Sequence, residues 1–480
     1  MLPFPRAVVA AVGALLALTL AACGSQLDPD TVAQVNGSTV GGDGQVVAGD
    51  GSTTALDGSV PGDAGDTGGD TTTDGGSTTT DDSPDGGTKG TGENSPTGGT
   101  KAGSCEGFKN QTGITDDTIT IGNASDVSGP VPGLFEASQD AVRAYVAYYN
   151  ATTTLCGHKL VLKTYDSRTD AAADQQAYTK ACDETFAMIG SMSAFDSGGA
   201  STAEGCGLPD IRSASVTFDR QACKTCYGAQ STVATEFQNA VPDFVKKNHP
   251  DASAHAAMLY INAGAAAENA KTQVAAMENR GMTFDYVKGI DISEFNYSPY
   301  VQEMKNEGIE YVQMIGASAQ FVRLADAMQQ QGFKPEVFML DPTAYTTEFV
   351  ENGGDAVEGT TLFINFTPFE EAASNKELQL YLSWLQQVKP GAEPSFFGLF
   401  SWSAARLFVE RATALGGKLS RSTLLGDLAK VDNWTANGMH SPQHVGPRRT
   451  GECWRFIQLQ KGRWVPVGGT KYLCSGTSSS

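Results

Sequence analysis

Short apolar runs alternate with amphipathic segments along the chain after residue 117. The run Thr118–Ser125 is rich in β-branched residues, which is typical of a strand, and residues 133–151 carry apolar side chains at helical spacing. On one face of that predicted helix lie Ala141, Val142, Tyr145, Val146 and Tyr149. The alternation continues with strands at 159–165 and 186–190, helices at 169–182 and 196–204, and a strand from about residue 209.

A second set of alternating elements follows the first. It predicts helices at 233–248, 265–281, 299–307 and 319–331, and strands at 255–262, 283–290, 310–316 and 336–341. The last third predicts helices at 375–388 and 398–415, and then a hairpin with a turn at Lys461 and Gly462. Strands separated by helices imply right-handed crossovers, so we expect an α/β fold with two doubly wound parallel-sheet lobes.

The N-terminus has the pattern of an export signal. One cation, Arg6, precedes an apolar run at residues 7–22, which is too short to cross a bilayer comfortably. The sequence Leu20-Ala21-Ala22-Cys23-Gly24 resembles the bacterial lipoprotein signal, in which the cysteine carries the lipid. We therefore expect a signal peptide at 1–22 and a lipid on Cys23; the alternative is an ordinary secretory signal that happens to contain a cysteine.

Composition divides the rest of the chain. The 480 residues include 55 glycines and carry a net charge of −21, and about half of that charge lies in a Gly/Asp/Thr/Ser-rich stretch before Cys105. Such a stretch cannot bury enough apolar area to offset its ordering entropy, so residues 23–104 are expected to be a lipidated, disordered tether. The remainder is also acidic, which argues against a nucleic-acid partner.

Eight cysteines remain after Cys23, an even number that favours disulfides in an exported chain. Cys453 and Cys474 bracket the hairpin and are a reasonable pair. Cys156 and Cys182 each precede a predicted strand at the same sheet edge, so we expect them to pair. Cys223 and Cys226 have the spacing of a thiol oxidoreductase, but no strand and helix flank them in the required order, which favours a structural disulfide.

Specific segments carry a resemblance to a known family. The segments ITDDTITIGNASDVSGP and HKLVLKTYDSRTDAAADQQAYTKACDETFAMIGSMSA resemble type 1 periplasmic solute-binding proteins of the branched-chain amino acid (Leu/Ile/Val) class of ABC transporters. The resemblance implies two lobes that close over a ligand about a hinge of three crossings. It places the solute-binding domain at 105–470, with lobe one at about 114–231 plus 367–447, lobe two at about 232–366 plus 448–470, and a tail at 471–480.

Residues at the predicted strand ends are the candidate ligand-binding residues, because open parallel sheets bind ligands beyond the carboxyl ends of their strands. The candidates are Ser128, Ser193, Ala194, Ser215, Thr217, Asn262, Ser318 and Asp341. The resemblance implies that the loops at Ser193–Ala194 and Ser215–Thr217 hold the carboxylate and amino group of a solute. Asp341 could pair with an ammonium group. The alternative for each serine is a helix N-cap or a turn.

These observations predict an extracytoplasmic receptor that binds an amino acid or a related amide and delivers it to an ABC permease, anchored to the outer face of the cell membrane by its lipid. No catalytic, metal-binding or cofactor motif is evident: Pro442 opposes a helix that would align His440 with His444. We therefore expect neither an enzyme nor a cofactor. The alternatives are a sensor that regulates a membrane partner and a hydrolase on the same scaffold.

Overall fold

A computed structural model describes residues 38–40, 46–48 and 100–480 of the chain. The expected signal peptide, Cys23 and most of the expected tether lie outside the described residues. Within the tether, strands β1 (Ser38–Val40) and β2 (Val46–Ala48) form an antiparallel pair that the sequence did not predict. No described helix has both the length and the apolar character needed to cross a membrane.

Lobe one is built on a sheet of five parallel strands in the order β4-β3-β5-β6-β7. The strands are β3 (Thr118–Ser125), β4 (Lys159–Asp166), β5 (Ala187–Ile189), β6 (Asp210–Ala214) and β7 (Cys226–Gln230). Its helices are α1 (Glu136–Thr152), α2 (Ala171–Glu184), α3 (Ala200–Gly205), α4 (Phe218–Ala222), α11 (Lys376–Val388), α12 (Phe396–Leu415) and α13 (Arg421–Leu428). The apolar face predicted for α1 is buried as expected, and α1 packs against α12.

Lobe two is built on a larger mixed sheet in the order β10-β9-β11-β12-β13-β14-β15. The parallel strands are β9 (Ala256–Ile261), β10 (Phe284–Ile290), β11 (Tyr311–Ile315), β12 (Val337–Leu340) and β13 (Thr361–Ile364). The antiparallel strands are β14 (Cys453–Gln460), β15 (Arg463–Val467) and β16 (Leu473–Cys474). The helices are α5 (Ala240–Asn248), α6 (Pro250–Ala254), α7 (Gly264–Asn279), α8 (Ser298–Asn306), α9 (Ser318–Gln330) and α10 (Thr347–Gly353).

The chain passes between the two sheets three times, and the crossings are hydrogen-bonded to one another. Ser231 N–H donates to Gln443 Oε1 at 3.0 Å, joining the first crossing to the third. Ser441 N–H donates to the carbonyl of Asn365 at 2.8 Å, joining the third crossing to the second. Two doubly wound lobes on a three-stranded hinge are therefore confirmed.

One predicted helix begins too early. Residues 236–238 form a strand, β8 (Glu236–Gln238), and the helix starts only at Ala240. β8 pairs antiparallel with β17 (Thr477–Ser479), more than two hundred residues away in the chain. Phe237, Val241 and Phe244 have the spacing of a helix face, so the local pattern hid a strand that exists only through this distant partner.

All eight cysteines after Cys23 form disulfides. Cys453 pairs with Cys474, as the hairpin predicts, and Cys223 pairs with Cys226. The expected pairing of Cys156 with Cys182 is wrong, because these residues bond to Cys105 and Cys206 respectively. Cys105 precedes every predicted element, so the sequence pattern did not place it in the fold. Cys206 lies at the end of α3, beside the end of α2.

Candidate functional site

A cavity of about 240 Å³ lies at the carboxyl ends of the strands of both lobes. Loops that follow β3, β5 and β6 supply one wall, and loops that follow β9, β10, β11 and β12 supply the opposite wall. We call this space the inner cavity. Its position is the one that parallel sheets favour, because helix N-termini and irregular backbone converge there.

Aromatic and aliphatic side chains make up most of the wall of the inner cavity. The aromatic residues are Phe135, Phe195, Phe237, Phe363, Phe396, Phe397 and Trp454. Phe397 lies against both Phe135 and Phe396, with ring centroids 4.6 and 4.9 Å apart. Such a wall favours a solute that buries an apolar body.

Two of the eight candidate residues line the inner cavity: Ala194 and Asp341. Ser318 lines an adjoining outer chamber of about 470 Å³, where its hydroxyl donates to the carbonyl of Thr343 at 3.1 Å. The other five candidates line neither the inner cavity nor the outer chamber: Ser128, Ser193, Ser215, Thr217 and Asn262. Ser128 donates to Asp166 Oδ2 at 2.5 Å, and Asn262 is exposed to solvent.

Backbone N–H groups in the loops after β4 and β5 already donate to a carboxylate of the protein. Asp126, fully buried after β3, accepts hydrogen bonds from Ala194 N–H at 2.8 Å and Thr169 N–H at 2.9 Å. It also accepts from the hydroxyl of Ser167 at 2.6 Å. Burial raises the pKa of Asp126, and these hydrogen bonds partly offset the rise.

A second carboxylate, Asp196, occupies the loop after β6 in the same way. It accepts from Val216 N–H at 3.1 Å, from Thr217 N–H at 3.2 Å and from the Thr217 hydroxyl at 2.5 Å. Arg212 supports it from within the lobe, with Nη2 3.4 Å from Asp196 Oδ2. Thr217 is also the N-cap of α4, so its side chain holds the loop rather than facing the cavity.

The two lobes touch directly beside the inner cavity, so this is a closed arrangement. Ala265 N–H of lobe two donates to the carbonyl of Ala194 at 2.9 Å. Glu268 Oε2, on α7, accepts from Phe218 N–H at 2.8 Å. Asn269 Nδ2 donates to the carbonyl of Val216 at 3.1 Å. The loops that the sequence assigns to ligand contact are thus bound by the first turns of α7.

Asp341 follows β12 and lines the inner cavity. Thr343 N–H donates to Asp341 Oδ1 at 2.8 Å, which fixes the carboxyl as the N-cap of a short 3₁₀ turn. Burial raises its pKa, and the hydrogen bonds of Thr343 only partly offset the rise. A donor group of a solute would relieve this unfavourable burial.

Sequence reasoning missed the residues at the hinge end of the cavity. Glu236 and Gln238 both line it from β8, two residues apart and hence on one face of the strand. Gln238 is buried, and its Nε2 has no hydrogen-bond partner within the described part of the chain. The predicted helix at 233–248 concealed both residues.

The missed aromatic residues come from the start of α12. Phe396 and Phe397 are its first two residues, while the helix predicted from the sequence began at 398. The signal that could have found them is the Phe-Phe pair directly before a predicted helix in the last third of the chain. Among the described residues, no group of His, Cys, Asp and Glu is arranged to hold a metal ion.

The family described as periplasmic binding protein matches residues 118–463. No curated protein matches the sequence at a significant level. Solved structures with a similar fold include a fatty acid ABC transporter substrate-binding protein from Thermomonospora curvata, at 17% identity and a TM-score of 0.66, covering 78% of this chain and 97% of that one.

Two further solved structures contain ligands that differ from each other. The branched-chain amino acid transporter substrate-binding protein from Streptococcus pneumoniae, in complex with isoleucine, is 15% identical with a TM-score of 0.61, covering 74% of this chain and 99% of that one. A solute-binding protein from R. palustris, in complex with 4-hydroxybenzoate, is 17% identical with a TM-score of 0.63, covering 74% and 97%. At this level of sequence identity the similarity supports the fold alone, so the solute has to be inferred from the cavity.

Proposed function

Because the chain belongs to the periplasmic binding protein family, we propose that it is the extracytoplasmic solute receptor of an ABC importer. The observation that carries the proposal is the inner cavity, whose walls come from strand-end loops of both lobes and whose rim is bridged by hydrogen bonds between them. A solute that contacts both walls favours the closed state by its differential affinity. The closed form then presents the solute to a permease.

The solute we propose is small and largely apolar, with a hydrogen-bond donor facing Asp341. The sequence predicts an amino acid or a related amide, and the amide fits this cavity better. An amide has a donor for Asp341 and an apolar body for the aromatic wall, and it carries no carboxylate. The receptor binds this solute without converting it.

Binding can be followed through Trp454, because this side chain lines the inner cavity. We expect members of a panel of amino acids and their amides to raise the melting temperature and to change tryptophan fluorescence. Trp454→Phe should lose most of the fluorescence change. The control, Trp384→Phe, removes a tryptophan that packs on Tyr148 in lobe one and should retain it. If no member of the panel shifts the melting temperature, the amino-acid and amide assignment is wrong.

Transport and regulation are separated by a deletion. Loss of the gene should abolish uptake of the solute identified in the panel. Normal uptake, together with loss of a cellular response to that solute, would instead support the sensor. The lipid anchor that we propose on Cys23 has its own test: Cys23→Ala should release the protein from membranes, and a variant that stays bound would refute lipidation.

A further inference from the structure

The charges around the inner cavity have one sign. Among the described residues that line it, the only ionisable acids and bases are Glu236 and Asp341, with no Lys, Arg or His. A solute anion would lose its hydration there and gain no opposite charge. Such desolvation costs several kcal/mol unless a paired charge or several donors compensate for it.

Backbone donors at the strand ends do not supply that compensation. The N–H groups of Thr169 and Ala194 already donate to Asp126, and those of Val216 and Thr217 already donate to Asp196. These two carboxylates of the chain fill the places where loops of this kind could hold the carboxylate of a solute. A solute carboxylate could accept from these four N–H groups only by displacing a buried carboxylate from its own hydrogen bonds.

A free donor remains at the hinge end, but its surroundings disfavour an anion. Gln238 Nε2 is buried and has no hydrogen-bond partner among the residues that the structure describes, and Glu236 lies two residues away on the same face of β8. One neutral amide donor beside a carboxylate does not stabilise a second carboxylate. It can satisfy an uncharged acceptor such as a hydroxyl or carbonyl oxygen.

The aromatic wall favours the opposite charge. Phe135, Phe396 and Phe397 form a cluster of edge-to-face rings on the wall of the same cavity that Asp341 lines. The face of an aromatic ring attracts a cation, and the attraction grows when the site excludes water. Acid and aromatic groups in one small cavity are thus complementary to an organic cation.

We infer that the solute is an apolar organic cation, a protonated amine without a carboxylate, whose ammonium group contacts Asp341. This inference rests on the proposed receptor function. It keeps the apolar body and the donor to Asp341 and replaces the amide group of the proposed solute with an ammonium group. It separates the chain from the solved structures above whose ligands are isoleucine and 4-hydroxybenzoate, both of which carry a carboxylate.

The test compares solutes of one shape that differ in their polar group. Phenethylamine, hydrocinnamamide, hydrocinnamate and phenylalanine form one set; isoamylamine, isocaproamide, isocaproate and leucine form an aliphatic set. Binding to the full chain is measured by calorimetry and by tryptophan fluorescence. We expect the amine of at least one set to bind at least about tenfold more tightly than its carboxylate and its amino acid, the difference of one charge-assisted hydrogen bond.

Two variants assign the preference to the cavity acid. Asp341→Asn should weaken binding of the amine by about 10- to 100-fold and change binding of the matched amide by less than about threefold. Glu348→Gln removes a negative charge from the outer chamber and should leave both affinities unchanged. Arg323→Gln removes the positive charge of Arg323, which lines the outer chamber and stacks on exposed Phe295. If Arg323 held a solute carboxylate, this variant would abolish carboxylate binding.

The outcomes are distinct. A carboxylate or an amino acid that binds as tightly as its amine overturns the inference and leaves the receptor function in place, because a solute still closes the lobes. An amine preference that survives Asp341→Asn also overturns it. If no member of either set binds at millimolar concentration, the cavity does not take apolar amines; the receptor function is then decided by the uptake experiment.

Discussion

Replacing His440 with glutamine is expected to remove an acid sensitivity that this buried imidazole gives to the fold. His440 lies in the third crossing and is 2% exposed. Its Nδ1 lies 2.9 Å from the carbonyl of Ser441 and so carries the proton, and its Nε2 lies 2.8 Å from the Ser403 hydroxyl. Trp434 Nε1–H donates to the oxygen of Ser403 at 2.8 Å, so the hydroxyl proton is directed at the imidazole. The network therefore fits a neutral ring.

The magnitude follows from the pKa. Burial lowers the pKa of His440 from its ordinary 6.5 to about 4. Between these values the unfolded chain takes up a proton that the folded chain does not, so the free energy of unfolding falls as the pH falls. Each pH unit in this window costs at most about 1.4 kcal/mol, which gives a total loss of about 3 kcal/mol. About 2 kcal/mol of it is lost between about pH 7 and about pH 5.

Urea denaturation of the oxidised protein at several pH values measures this effect, because other titrating groups cancel in the difference between wild type and variant. His440→Gln keeps an amide that can bond to Ser403 and should be less sensitive to acid by about 2 kcal/mol over that range. Ser403→Ala is the control: it should lower stability at every pH and keep the acid-dependent fall, since burial is the main cause. Parallel pH profiles for wild type and His440→Gln would refute the reasoning.

Three further predictions concern the lobes and their cross-links. Glu268→Ala removes the acceptor of Phe218 N–H between the lobes, so the Kd of any solute that closes the lobes should rise about fivefold, which corresponds to about 1 kcal/mol. Glu268→Gln retains an acceptor and should raise the Kd less. Equal Kd values for wild type and Glu268→Ala in calorimetry would contradict the closed state described here. Replacing Cys105 and Cys156 by serine removes a disulfide that spans 51 residues and should lower the free energy of unfolding in urea by up to about 4 kcal/mol. The same change at Cys223 and Cys226, which are 3 residues apart, should lower it by about 2 kcal/mol. A larger loss for the Cys223–Cys226 variant would contradict the loop-entropy explanation. Arg220→Met leaves the buried carboxylate of Asp174 without its salt-bridge partner and leaves Asp210 paired with Arg212 alone. It should cost about 3–5 kcal/mol in the same assay; a loss under about 1 kcal/mol would show that the fold tolerates the unpaired charge of Asp174.

Local pattern predicted the elements that are long and internally periodic. β3 occupies the predicted residues, and the apolar face of α1 is buried as expected. β8 could not be predicted, because its three residues form a strand only by pairing with β17. β7 was missed for a related reason: its five residues include a glycine and an alanine, and parallel pairing with β6 defines it.

The sequence predicted the location of the candidate site in the fold, but it predicted few of the residues that line the site. The rule that ligands bind beyond strand ends located the cavity and two of its residues, Ala194 and Asp341. The same rule marked Thr217, whose hydroxyl instead bonds to Asp196 within its own lobe. Sequence spacing does not reveal that Asp126 and Asp196 fill the loop donors, because these contacts join loops that are up to 68 residues apart.

The first described residues of the folded unit are tied to lobe one alone. Gly103 N–H donates to the carbonyl of Thr413 at 2.9 Å, Gly417 N–H donates to that of Ser104 at 2.7 Å, and Cys105 is bonded to Cys156. Any pull transmitted along the preceding chain is therefore borne by lobe one through a covalent bond. We therefore predict that, in a protein held through its N-terminal segment, lobe two moves relative to lobe one on closure. A probe of closure therefore belongs on lobe two, with its reference point near Cys105.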